Sequence, residues 1–214
     1  MTIPNKFIFF DVETGLYNTI IMESQEPWLI AASIEGSNEV LYWKAPDKDN
    51  IQRKRMYKDF LGFVSDCQPA TLCSWSGRDF DERMIKYGLS KRRVSKNDIN
   101  LWDKIKKMDI LKLMRSNLIL PLQSWTLKDV SNWLGWIEAD DERDGFWAGK
   151  VYELYYQHKK RNIDKEERVY LLNSNSEREF ILNKLINHCI DDVKKLSIVS
   201  TWFRSILVNR DKYI

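Results

Sequence analysis

The sequence predicts an α/β fold, with a sheet assembled from the N-terminal part of the chain followed by a largely helical C-terminal half. Three observations point to it. Short apolar runs bounded by turn or charged residues fall at Phe7–Phe10, Trp28–Ile34, Val40–Trp43 and Thr71–Trp75, with the length and composition of strands. Between the third and fourth runs, Met56, Phe60, Phe63 and Val64 recur at helical spacing. After Phe80, apolar residues return at intervals of three and four nearly to the end of the chain.

Taken in order, Phe7–Phe10 reads as a buried strand whose C-terminal end opens at Asp11. Trp28–Ile34 and Val40–Trp43 flank Glu35-Gly36-Ser37-Asn38, which suits a hairpin turn. Residues 51–65 should form an amphipathic helix that leads to a strand at Thr71–Trp75. Further helices are predicted near residues 80–88, 103–116, 126–135, 147–160 and 177–207, with loops at Glu138–Gly145 and Asn173–Ser176. No internal repeat, low-complexity stretch or long Gly/Pro/Ser linker interrupts the 214 residues, so one domain over residues 1–214 is expected.

Composition narrows the function. Hydrophobic residues make up 43% and charged residues 30%, a balance that favours a soluble globular protein over a disordered or membrane one. No apolar stretch reaches the roughly 20 residues of a membrane helix, and Phe7–Phe10 is too short for the core of a signal peptide. A cytoplasmic location with no membrane partner is expected. Cys67, Cys73 and Cys189 form no CxxC pair, which argues against a disulfide framework and a thiolate zinc site. His158 and His188 are too few for a histidine-rich site. A metal here would be held by oxygen, which points to Mg²⁺ or Mn²⁺. The net charge of +3 is modest, yet basic residues cluster at Arg53-Lys54-Arg55, Lys91-Arg92-Arg93, Lys104 with Lys106-Lys107, and Lys159-Lys160-Arg161. Each clump alone reads as a solvated face; together they permit a polyanionic partner. GxxxxGK[ST], HExxH and GxSxG are missing, and with them the usual P-loop, zincin and α/β-hydrolase signatures.

Three carboxylate-bearing segments carry the chemistry. In Phe7-Ile8-Phe9-Phe10-Asp11-Val12-Glu13-Thr14-Gly15, Asp11 and Glu13 are two residues apart on a strand and project from the same face. Like charges held that close repel unless a cation sits between them. A strand running into a polar turn would explain one terminal carboxylate more naturally than a same-face pair. The second segment, Cys73-Ser74-Trp75-Ser76-Gly77-Arg78-Asp79-Phe80-Asp81, reads as a strand, a tight turn and a helix start. Either aspartate could simply cap that helix. The third, His188-Cys189-Ile190-Asp191-Asp192-Val193, lies in a helical pattern continued by Leu196 and Val199. Four residues apart, His188 and Asp192 share a helix face. A lone helical histidine is more often structural, but one paired with a same-face aspartate can serve a common pocket.

These segments, in this order, resemble the three motifs of DnaQ-like (DEDD) 3′→5′ exonucleases and of the proofreading domain of family B DNA polymerases. The string FFDVETG is similar to the first motif, and the segment ending in Phe80-Asp81 to the second, with Ser76 where an Asn is commoner. The family's tyrosine-type branch places a Tyr four residues before the third-motif Asp, and its histidine-type branch a His five before. Here His188 occupies the tyrosine-type spacing, as in the YprB-like RNase H-related exonucleases, which the chain resembles more than the polymerases. Met108-Asp109-Ile110-Leu111, Ser124-Trp125-Thr126-Leu127-Lys128 and Leu134-Gly135 resemble a further shared region. The resemblance runs over roughly residues 7 to 200.

The resemblance implies an RNase H-like mixed sheet flanked by helices and two Mg²⁺ or Mn²⁺ ions held by Asp11, Glu13, Asp81 and Asp192, with Asp11 bridging. Asp79 stays a rival to Asp81. His188 would orient and deprotonate the attacking water, since imidazole exchanges protons near neutral pH. Asp109 is either a group near the site or a plain helix cap. The implied partner is nucleic acid, single-stranded DNA with a free 3′ end; a related RNA exonuclease or an inactive nucleic-acid-binding module are the rivals. Among nine tryptophans, Trp75 and Trp147 are candidates for stacking on bases.

Overall fold

The computed structural model describes residues 6–15, 26–47, 49–77, 80–137, 148–152, 155 and 175–209. Strands β1 (Phe7–Glu13), β2 (Leu29–Ile34), β3 (Leu41–Lys44), β4 (Thr71–Ser74) and β5 (Lys106–Asp109) form one sheet in the order β3-β2-β1-β4-β5. β1 pairs antiparallel with β2, and β2 antiparallel with β3. On its other side β1 runs parallel to β4, and β4 parallel to β5. The sheet is mixed, with its three parallel strands ending at one edge.

β1 is central and covered on both faces, which is why its run is continuously apolar rather than alternating. Ile8, Phe10 and Val12 pack with Ile30, Phe60, Leu61, Met84 and Trp102. These last residues belong to β2, α1 (Asn50–Asp66), α2 (Asp81–Lys91) and α3 (Lys96–Lys104). Phe7 and Phe9 point the other way, packing with Leu185, Cys189, Val193 and Leu196 of the long helix α6 (Asn175–Asn209), which follows α4 (Ile110–Asn117) and α5 (Leu127–Trp133) in the chain. Burying each such side chain contributes about 1.5–3 kcal/mol, so the two faces lock β1 between the helix layers. No helix among the described residues is long and apolar enough to cross a membrane.

The hairpin, the helix over 51–65 and the strand after it appear where expected, and residues 148–152 are helical. β1 does not open at Asp11: its pairing with β2 continues through Asp11↔Ala31 to Glu13↔Leu29. The single helix expected over 103–116 is replaced by the end of α3, the short strand β5 and α4. Trp102, Ile105 and Met108 mimic helical spacing, but β5 is a lysine-bearing edge strand, a position where charge is common. α3 was signalled by Ser95, whose hydroxyl accepts from the backbone N–H of Asp98, the start of a capping pattern.

Two basic clumps are not simply solvated. Arg53 is 1% exposed; its guanidinium donates to the carbonyls of Glu26 and Pro27 and, at 3.0 Å, to the Tyr152 hydroxyl. Arg92 donates to both carboxylate oxygens of the buried Glu26, at 2.6 and 2.5 Å. Trp28 stacks on Tyr152 at 4.6 Å between ring centroids. These contacts pin the entry to β2 against α1, α2 and the 148–152 segment. The loop expected over Glu138–Gly145, together with Trp147, Asp79, His158 and the clump at 159–161, lies outside the described residues.

Candidate active site

The alternation that points Phe7 and Phe9 at α6 points Asp11 and Glu13 there as well. α6 answers with two contacts to β1 and one within itself. His188 Nε2 lies 3.8 Å from Glu13 Oε1 and 3.8 Å from Asp192 Oδ2. The Cys189 thiol donates to Asp11 Oδ2 at 3.4 Å. Because helix residues four apart share a face, His188 and Asp192 flank the carboxylates of β1, while Cys189 sits fully buried beneath them.

The second motif arrives through a tight turn at the end of β4. Ser76 adopts φ 58°, the left-handed region that costs most residues but that Asn tolerates. At Gly77 a Cβ would meet Ser74 Oγ at 1.6 Å and Asp81 Oδ2 at 3.4 Å, so only glycine lets the turn close. The turn delivers Asp81 as the first residue of α2, 4% exposed. Asp81 is not the cap: it is the first residue of the helix, the N-cap is Phe80, and among the described residues no side-chain cap bond is made there. The Ser74 hydroxyl beside it is buried without a hydrogen-bond partner among the described residues. Asp109, at the end of the neighbouring β5, caps α4 by accepting from the Lys112 N–H at 3.0 Å, and its charge also reaches Asp81.

Electrostatics ties the acids together. Burial and the charge of Asp192 push Asp11 up from 3.8 to about 8. Burial raises Glu13 well above the carboxylate range, reinforced by Asp11, Asp192 and Asp81. Asp81 is raised likewise, by burial first and then by Asp11, Glu82, Asp109 and Asp192. Carboxylates in this state are poised for a cation, which would restore their charged forms. Asp11, Glu13 and Cys189 present donor atoms within 4.8 Å of one another. The oxygen-rich donor set fits a hard divalent ion such as Mg²⁺ or Mn²⁺.

Asp11, Glu13, Asp81, Asp192 and His188 are thus brought to one edge of the sheet. Trp75 is half-buried and packs against the core beneath α6. Two residues here escaped the sequence reading. Cys189 is a buried thiol, and nothing in the sequence marks its contact with Asp11. Lys195, 4% exposed, places Nζ 3.1 Å from Asp192 Oδ1; its spacing of three from Asp192 was the available signal.

Among solved structures, the family B DNA polymerase from the hyperthermophilic archaeon Pyrobaculum calidifontis superposes with a TM-score of 0.62 at 16% identity, over 92% of this chain and 24% of the polymerase. E. coli Exonuclease I in complex with a dT13 oligonucleotide aligns with a TM-score of 0.49 at 15% identity, over 77% of this chain and 42% of that one. The chain therefore spans less than half the length of either. No curated protein matches it. A family model describing the RNase H superfamily matches residues 8–204, and the chain belongs to that superfamily.

Proposed function

We propose that the chain is a 3′→5′ exonuclease that hydrolyses the terminal phosphodiester bond of single-stranded DNA and releases nucleoside monophosphates, with Asp11, Glu13, Asp81 and Asp192 holding two Mg²⁺ or Mn²⁺ ions. The observation that carries this reading is the mutual repulsion of four carboxylates at one strand edge, three of them with pKa values driven upward. A module that only bound nucleic acid would gain nothing from it. Superfamily membership and the ordered motifs support the same reading. Divalent ions, when bound, supply Lewis acidity and neutralise the charge that develops on phosphate and leaving oxygen.

The protein's own groups do the rest. β1 fixes Asp11 and Glu13 in a paired strand, so neither has to be ordered when the site fills. His188 Nε2 takes a proton from the attacking water as the new P–O bond forms and the bond to the 3′ oxygen breaks. The proton-bearing imidazole is then stabilised by Glu13 Oε1 and Asp192 Oδ2, each 3.8 Å away. The freed 3′ oxygen is protonated from solvent.

Metal dependence tests this directly. Hydrolysis of a single-stranded oligodeoxynucleotide should require Mg²⁺ or Mn²⁺, stop in EDTA, and disappear in Asp81→Asn with the fold intact. Undiminished activity in EDTA contradicts the reading. Loss of activity in Asp79→Asn with full activity in Asp81→Asn moves the second-motif ligand by two residues.

A further inference from the structure

Two ion pairs on α6 differ only in which way they face. Lys194 Nζ lies 3.1 Å from Asp191 Oδ1, with the side chains 45% and 39% exposed. One residue on, Lys195 Nζ lies 3.1 Å from Asp192 Oδ1, but the lysine side chain is 6% exposed. The spacing, residue types and length are the same. An exposed pair of this kind contributes little, whereas a buried ammonium is costly unless it is paired. Helix phase turns Lys195 towards the carboxylates and Lys194 towards solvent. The charge of Lys195 also reaches Asp11, where it opposes the upward push from burial and Asp192.

We propose that Lys195 is a positioning residue that serves as the resident counterion of the candidate active site. It holds Asp192 Oδ1, leaves Oδ2 turned towards His188, and supplies positive charge to Asp192 and Asp11 whenever no divalent ion is bound. This rests on the metal-site reading above and extends it to regulation of that site. Metal ions enter against a charge already present, so Lys195 weakens their binding and keeps them exchangeable. Removing it should tighten metal binding, opposite in sign to the loss of a ligand. The charge effect outweighs any loosening of Asp192, whose short side chain has little rotamer freedom to gain.

The test is Mn²⁺ affinity, read by titration calorimetry or by the paramagnetic resonance of free Mn²⁺, together with melting temperature in EDTA. Both are measured on the full chain. Lys195→Met should bind Mn²⁺ at least about tenfold more tightly, as expected for a unit charge removed a few ångströms away at an effective dielectric of about 20. It should melt lower than wild type in EDTA and recover in saturating Mn²⁺. Lys195→Arg and the exposed control Lys194→Met should stay near wild type. Unchanged or weaker Mn²⁺ binding in Lys195→Met overturns the inference, as does a melting-temperature loss that Mn²⁺ leaves in place. Should Lys195→Met fail to fold, Lys195→Gln carries the same readouts. The two readings fail separately: wild type that binds no Mn²⁺ removes the carboxylate site itself. Mn²⁺ binding lost in Asp192→Asn but unaltered in Lys195→Met removes only the role of Lys195.

Discussion

Asp11 holds its proton up to about pH 8 because it is desolvated and faces Asp192. The stability consequence follows by linkage. A carboxyl whose folded pKa is raised contributes stability that is fully present below the ordinary carboxylate value of 3.8 and is lost as pH rises through about 8. In EDTA, Asp11→Asn should therefore melt progressively higher than wild type between about pH 4 and pH 8, and the gap should level off above. A gap that stays constant across this window would show that Asp11 is not strained by its neighbours. His188 lends itself to a kinetic test. As general base its removal in His188→Ala should lower turnover on the order of 10²–10⁴-fold, with Mn²⁺ binding kept by the carboxylates. His188→Tyr should recover part of that, because a tyrosine at this spacing occupies the same helix face. Normal turnover in a folded His188→Ala would take the residue out of the mechanism.

The turn from β4 to α2 shows how an element sets a site. Ser76 carries a left-handed backbone at φ 58°, which costs an L-residue about 1–2 kcal/mol and costs Asn less. Ser76→Asn should raise the melting temperature by roughly 2–4 °C for each kcal/mol relieved in a domain of this size, and Ser76→Val should lower it; calorimetry checks both. What was legible at this scale followed from local pattern. β1, the hairpin, α1, β4 and α6 could all be read from apolar spacing, and Asp11, Glu13 and His188 from alternation and helix phase. β5 could not, because a four-residue edge strand of Lys106, Lys107, Met108 and Asp109 has too few apolar residues to show a period. Alternation along β1 was legible, but the continued pairing of Asp11 and Glu13 with Ala31 and Leu29 was not, since those partners lie on another strand.

At the scale of the whole molecule, charge was the least legible property. Arg53 and Arg92 are spent inside the fold on Glu26 and on carbonyls, so the clumps seen in the sequence overstate the positive surface left for a polyanion. The contact of Cys189 with Asp11 depends on how α6 is docked against β1, which no local spacing encodes, whereas that of Lys195 with Asp192 lies within α6 and only its burial depends on the docking. Residues 1–214 are proposed to act as one catalytic unit on a free 3′ end. The most direct measurement is digestion, in Mg²⁺ or Mn²⁺, of a 5′-labelled linear single strand beside a circular single strand of the same sequence. A ladder shortening one nucleotide at a time, with the circle intact, is the predicted result; cutting of the circle, or a labelled linear strand that stays full length, would contradict the 3′→5′ exonuclease reading.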